Sequence, residues 1–402
     1  MIKDTVTQNA YYTFKYNSSL GRHGWLRLTP AYSVRLVEEI LAELDYTPRY
    51  VMEPFSGTGT TELVCANKGI PSFAFEINPF LVWLGNAKLD FYPPNKVEEF
   101  LNAADDIVRN IDRYVPTNLP PIHNIYRWWN PPQADFLARL KSAIRTVEDA
   151  TIVQLLTVAF CRIIIELSNA AFNHVSTSFK DDDDDFFSID VAKRTFISIS
   201  EMVAKGALFQ PCATSEVILH DSKSIPAEYI DEYDTVITSP PYPNRISYIR
   251  ELRPYMYWLD YLETSEQASD LDWKTIGGTW GKATSLLGTW ESDYSLPQYV
   301  YGIAEKISNA NNKSAGLMAN YVLKYFEDMY KHLSSVYAGL AINGKVFYII
   351  GNSNFYGVTV PAEKIYVDMM KAIGFVNVEH RIVRKRNCNK QLYEFVVYGQ
   401  KS

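Results

Sequence analysis

The stretch that most constrains the fold is residues 49–79, RYVMEPFSGTGTTELVCANKGIPSFAFEINP. Tyr50, Val51 and Met52 read as a short buried strand. Gly57 and Gly59 form a tight turn, Thr60 to Asn67 reads as a helix closed by Gly69, and PSFAFEINP is a second strand ending in the acid Glu76. Strand, glycine turn, helix, strand and acid, in that order, open a doubly wound sheet that holds a nucleoside at its carboxyl edge. The glycines let the backbone approach a ligand and turn into a helix N-terminus. A dinucleotide site would want its third Gly at position 62, where this chain has Glu62, and no Lys follows Gly59 to make a phosphate loop. A nucleoside carrying a zwitterionic tail fits this turn better than a polyphosphate. Glu76, about 20 residues on, can accept both hydroxyls of a ribose.

The rest of the chain divides around this unit. Residues 1–90 form the first part of the core, with SVRLVEEILAEL as a helix before the glycine turn. Residues 91–205 are mainly helical in pattern, including ADFLARLKSAIRTVEDATIVQLLTVAFCRIIIEL, and read as an insertion. Residues 206–261 resume the strand pattern in SEVILHDS and EYDTVITSPPY. Residues 262–316, rich in Ser, Gly, Thr and Trp, read as a loop-rich insertion and a candidate target-recognition element. Residues 317–402 return to helix, strand, helix and a terminal strand pair.

The sharpest chemical signal is Ser239-Pro240-Pro241-Tyr242, at the end of the apolar run DTVIT. Two prolines fix the backbone and remove two N–H donors, which leaves carbonyl acceptors. Acceptors are what an exocyclic amino group needs, because its lone pair is delocalised into the base. Hydrogen bonds from both of its N–H groups to the Ser239 side chain and the Pro240 carbonyl favour a pyramidal nitrogen. Catalysis is then positioning and electrostatic stabilisation of the developing positive charge. Tyr242 is expected to stack on an extruded base. Asp221, after a later strand, can accept an adenine amino group.

These residues together resemble the amino-methyltransferases of DNA, those of restriction-modification systems and their relatives. The family's cofactor-loop motif is similar to EPFSGTGTT, and its catalytic motif is an Asx or Ser followed by Pro-Pro and Tyr or Phe. The Ser form, as in TSPPY, is typical of members acting on N-4 of cytosine. RHGWLRLTPAY resembles the segment along the methionine end of the cofactor, with Thr29, Pro30 and Tyr32 at the matching positions. The residues INP at 77–79, Asp221 and GKVFYIIGNS at 344–353 fit the same scheme. Two positions depart from it: Glu53 stands where the family has Asp, which keeps a carboxylate near the methionine amine, and the interval from Glu76 to Asp221 is long.

The resemblance implies a Rossmann-like class I methyltransferase fold, an α/β domain with a mostly parallel seven-stranded sheet and a C-terminal antiparallel hairpin. It implies S-adenosyl-L-methionine as cofactor, held by Thr29, Pro30, Tyr32, Glu53, Phe55, Gly57, Gly59, Thr60, Glu76 and Asp221. It implies Ser239, Pro240 and Tyr242 as catalytic residues acting by base flipping on cytosine N-4. The expected partners are double-stranded DNA, gripped by Arg245, Arg250 and Arg253, and a cognate restriction endonuclease reading the same sequence. Adenine N-6 is the alternative target. An RNA methyltransferase or an inactive DNA-binding relative are further alternatives.

Composition bounds the rest. The net charge of -7 speaks against a protein that coats nucleic acid, though not against a local basic cleft. Arg381, Arg384, Lys385, Arg386 and Lys390 cluster near the terminal pair and are further phosphate candidates. The four Cys form no Cys-x-x-Cys pair, which with the polar N-terminus fits a reducing cytoplasm. Thr151 to Leu167 is apolar but interrupted by Gln154, Arg162 and Glu166, too broken to span a bilayer. Pro211-Cys212 lacks the strand-end setting of a nucleophile that attacks a ring carbon. The run Asp181 to Asp185 reads as a solvated loop, and no metal site is expected.

Overall fold

The computed structural model describes residues 7–26, 28, 31–171, 178–179, 187–279, 281–292, 294–386 and 391–402. Its core is a seven-stranded sheet of β1 (Val51–Glu53), β2 (Ser72–Glu76), β3 (Ser215–Leu219), β4 (Thr235–Thr238), β5 (Lys345–Gly351), β6 (Val376–Lys385) and β7 (Tyr393–Gln400). The strand order is β6-β7-β5-β4-β1-β2-β3. Strands β1 to β5 are mutually parallel, while β7 runs antiparallel to β5 and to β6. The expected α/β fold, a mostly parallel seven-stranded Rossmann-like sheet with an antiparallel C-terminal hairpin, is the fold observed.

The helices longer than one turn are, in chain order, α1 (Val34–Glu43), α2 (Thr60–Asn67), α3 (Pro79–Leu89), α4 (Pro94–Arg109), α5 (Pro131–Ile144), α6 (Ala150–Glu166), α7 (Ile189–Ala207), α8 (Tyr248–Trp258), α9 (Ser265–Lys274), α10 (Lys282–Thr289), α11 (Gln298–Ser308), α12 (Ala315–Gly339) and α13 (Ala362–Ile373). The two-residue period of the strands sorts them between two layers. Val51, Ile237, Phe347, Ile349 and Val396 pack on one face with Val34, Val37 and Ile40 of α1 and Val64 of α2. Met52, Val236, Val346, Tyr348, Ile350 and Val397 face the other way, against Met329 and Leu333 of α12 and Met369 of α13.

Residues 91–205 carry α4 to α7, which build their own core around Trp129, Phe100 and Phe196. The helical pattern read over residues 134–167 falls on two helices, α5 and α6, because Asp149 accepts from Thr151 N–H and Ile152 N–H and restarts the chain as α6. This layer is tied to the N-terminal segment by Arg22, which is buried and donates to the carbonyls of Gly206, Ala207, Lys88 and Asp90. Trp128 and Trp129 are core residues, the latter donating its indole N–H to the Ile164 carbonyl. Residues 262–316, expected to be loop-rich, are more ordered than that: they hold α9, α10 and α11. Their periodicity is hard to read because two of the helices have only 10 and 8 residues, although the capping box of Thr264 and Gln267 marks where α9 starts. Among the described residues no helix is long and apolar enough to cross a membrane.

Because β1 to β4 are parallel, Glu53, Glu76, Leu219 and Thr238 end along one edge of the sheet. Strand order reverses between β1 and β4, so this edge is the crevice where doubly wound sheets bind ligands.

Candidate active site

At this edge lies a cavity of about 90 Å³. Phe55, Gly57, Thr60 and Glu76 of the glycine turn and its neighbours line it, as do Tyr32, Asp221 and Ser239. The cofactor loop and the proline turn, 180 residues apart in the chain, thus open on one space. Pro241 lines it as well, with Pro240 buried beside it.

The loop is shaped by three local devices. Gly57 and Gly59 stand at φ +54 and +74, a region costly for any residue with a Cβ. Glu76 takes the Gly57 N–H on one oxygen at 2.9 Å and the Asn78 N–H on the other at 2.8 Å. Burial raises the Glu76 carboxyl to about 7, and the backbone N–H groups of Asn78, Gly57 and Ile77 hold it from going higher. Lys88, buried in α3, donates to the Thr58 carbonyl at 2.7 Å, and burial pulls its amine down to about 7.

Glu53 is placed differently from the expectation that it meets the cofactor's amine. It is fully buried and does not line the cavity. Its oxygens accept from Tyr32 Oη at 2.6 Å, Phe55 N–H at 2.8 Å, Thr61 Oγ1 at 3.2 Å and Thr238 Oγ1. The carboxylate therefore braces the ends of β1 and β4 from below the loop. Glu62, behind it, is also fully buried, and neither of its oxygens has a hydrogen-bond partner. Burial, and then the charge of Glu53, raises the Glu62 carboxyl above its ordinary range.

That placement gives a pH prediction. A carboxyl whose folded pKa is raised favours the fold most at low pH, and its contribution is lost as pH rises through the folded value. Glu62→Gln is therefore expected to match the wild type in melting temperature near about pH 5 and to exceed it increasingly toward about pH 9. A gap that is constant with pH, measured by differential scanning calorimetry, would show that Glu62 is not the titrating group.

The catalytic tetrapeptide is held in a particular pose. Ser239 Oγ donates weakly to Tyr242 Oη at 3.4 Å, which leaves its lone pairs to accept. Tyr242 does not line the cavity. Its hydroxyl donates to Glu394 at 2.9 Å, Glu394 is in turn paired with Arg384 at 2.7 Å, and Arg386 lies over its ring at 5.0 Å. The ring expected to meet a base thus rests against β5 and β7, with a guanidinium on its face. Tyr248, at the start of α8, does line the cavity, and its position six residues after Tyr242 is the only sequence signal it carries.

Asp221 lines the cavity and pairs with Lys223 at 3.1 Å. Arg245 is exposed just beyond the tetrapeptide, and Arg250 is half-buried. Arg253 packs its guanidinium over Trp128 at 5.9 Å and donates to the Arg250 carbonyl, which binds it to the helical layer. Arg381 pairs with Glu43. Thr29, Pro30, Lys390 and the Asp181–Asp185 run lie outside the described residues. Cys212 is exposed and away from the cavity.

His332 is a supporting residue that no motif announced. It is buried, its Nδ1–H donates to the Ser222 carbonyl at 2.7 Å, and its Nε2 accepts from Tyr348 Oη at 2.8 Å. Burial lowers it to about 4, so the ring is neutral, and it packs 4.8 Å from Phe55. It thereby ties the loop after β3 to the cofactor loop.

No family model matches the chain. It is 22% identical to the type II methyltransferase M.AvaI of Nostoc sp., over 97% of this chain and 86% of that protein. The type II methyltransferase M.BsoBI of Geobacillus stearothermophilus is 21% identical with the same coverage, and M.MvaI of Kocuria varians is 20% identical over 86% of this chain and 78% of its own length. Among solved structures, the rRNA methyltransferase aviRa from Streptomyces viridochromogenes covers 92% of this chain and 86% of its own at a TM-score of 0.28 and 11% identity.

Proposed function

We propose that this chain is an S-adenosylmethionine-dependent DNA methyltransferase that methylates N-4 of a flipped cytosine within one short duplex sequence, as the modification half of a restriction-modification pair. The carrying observation is that one cavity is lined both by the nucleoside-type loop of Gly57 and Glu76 and by the acceptor turn at Ser239. The names of the relatives, all type II methyltransferases, support the same reading.

The residues fit the cofactor by their chemistry. Glu76 offers carboxylate oxygens at the cavity wall for a ribose diol, and Asp221 offers an acceptor for an adenine amine. Gly57 and Thr60 let the chain pass close to a ligand, and Phe55 and Tyr32 line the same space. The cofactor supplies, when bound, an electrophilic methyl on a sulfonium. The chain's own part is to hold the amine. Ser239 Oγ and the Pro240 carbonyl accept its two N–H groups, and neither proline offers a donor to oppose them. With the cofactor bound, these acceptors would also stabilise the positive charge that develops on the nitrogen as it takes the methyl, and the surplus proton would then pass to water. For Tyr242 to stack on the base, the base must replace Arg386 on the ring face. Arg245 and Arg250 are the proposed phosphate contacts, and Arg253 supports them from the Trp128 side.

The test is to express the chain in a host lacking DNA methylation and to sequence modified bases in its genome. The expected result is 4-methylcytosine at one recurrent short sequence. N-6-methyladenine there would move the target to adenine. An unmodified genome, with labelled methyl going to RNA or to nothing, would overturn the proposal. A cognate endonuclease would cut the same sequence only when unmodified.

A further inference from the structure

Helix α12 carries two tyrosines four residues apart, Tyr321 and Tyr325, each 1% exposed. That spacing puts them on one face. The Tyr325 hydroxyl donates to the Pro241 carbonyl at 2.7 Å, and the Tyr321 hydroxyl accepts from the Arg245 N–H at 3.2 Å. Between these anchors the chain closes on itself, Asn244 N–H donating to the Tyr242 carbonyl at 2.8 Å. It leaves the turn with Arg245 at φ +63, a conformation that side-chain-bearing residues keep only when their surroundings impose it. Behind Tyr325 stands fully buried Tyr366 of α13, hydroxyl to hydroxyl at 2.9 Å. Tyr325 has one proton and gives it to Pro241, so Tyr366 must donate to Tyr325. The chain of donors runs from α13 through α12 to the acceptor turn, each bond polarising the next.

The same face holds the far wall of the cavity. A Cβ on Gly277 would lie 3.4 Å from Tyr321 Oη and 3.6 Å from the Tyr325 ring, so the turn after α9 sits directly on this pair. Thr275 and Ile276, just before it, line the cavity. None of the three tyrosines does.

We infer that Tyr321, Tyr325 and Tyr366 are positioning residues for methyl transfer: they fix the acceptor turn from behind before the amine arrives. By occupying the Pro241 carbonyl, Tyr325 prevents the turn from rotating to offer it in place of the Pro240 carbonyl. This rests on the methyl-transfer reading. It predicts an effect on the chemical step, because an acceptor displaced by about 1 Å costs on the order of 10² in rate.

The experiment compares wild type, Tyr325→Phe and Tyr366→Phe on methylation-free genomic DNA. It measures the single-turnover rate at saturating labelled S-adenosylmethionine, cofactor Kd by calorimetry, and melting temperature. Tyr325→Phe is expected to slow the single turnover about 10- to 100-fold with cofactor Kd unchanged. Tyr366→Phe, which keeps the bond to Pro241 and removes only the outer donor, is expected to lose less. A wild-type rate in both variants overturns the inference. So does a parallel loss of rate, cofactor affinity and melting temperature, which is what an ordinary core hydroxyl would give. If wild type itself labels no DNA, the methyl-transfer reading falls and this inference with it; active wild type with unaffected variants sinks this inference alone.

Discussion

Ser239→Ala is expected to lower kcat by about 10²- to 10³-fold, the effect of removing one preorganised polar group from a charge that develops in the transition state. The side chain stands at the end of β4 on the cavity wall, and its only described partner is Tyr242 Oη at 3.4 Å. The substitution therefore breaks no strong internal bond, and the fold should survive. Cofactor affinity should not change, because the cofactor loop is braced by Glu53 and Glu76. KM for DNA should change little as well, since the lost contact strengthens in the transition state. The check is steady-state transfer of labelled methyl to DNA. A kcat within a few-fold of wild type would mean that Ser239 does not touch the reacting amine.

Glu76→Gln should act on the other side of the cavity. Each carboxylate oxygen already takes a backbone N–H, from Gly57 and from Asn78. A glutamine must turn its NH₂ toward one of them, so a donor meets a donor and one N–H loses its acceptor. An orphaned donor costs about 1–3 kcal/mol, and the ribose loses a charged acceptor as well. S-adenosylmethionine Kd should rise about 100-fold while kcat at saturation stays close to wild type. The wild type should also bind cofactor more tightly as pH rises through about 7, where the Glu76 carboxyl ionises, and the variant should lose that dependence. Calorimetric titrations across this range decide it; a Kd that ignores both the substitution and the pH removes Glu76 from the cofactor site.

Much of this site was legible in the sequence because it sits where local rules and the fold agree. The glycine turn, Asp221 and Ser239 each follow a strand and Glu76 ends one, and parallel strands bring their carboxyl ends to one edge. What was not legible depends on long-range packing. Nothing near Glu53 in the chain says that Tyr32, Thr61 and Thr238 will saturate it. Nothing near Tyr242 says that Glu394 and Arg386, from the last hairpin, will hold its ring off the cavity. His332 and Tyr325 lie in the middle of α12, where apolar periodicity hides their role. The helices in residues 262–316 escaped because short segments rich in Ser, Gly and Thr carry weak periodicity.

The helical layer has a consequence for how the molecule assembles. Strands β1 and β2 are joined through residues 54–71, but β2 and its neighbour β3 are joined only through residues 77–214. The second loop is about eight times longer, and closing it costs about 2 kcal/mol more in chain entropy. Unless α4 to α7 first gather that loop into a compact body, β3 must dock late, and the Asp221 wall arrives with it. Pulse-labelled amide exchange during refolding should then protect β1 and β2 before β3. A newly made chain would hold a half-built crevice, furnished with the glycine turn and Glu76 but lacking both Asp221 and Ser239, because β4 joins β1 across the still longer stretch of residues 54–234.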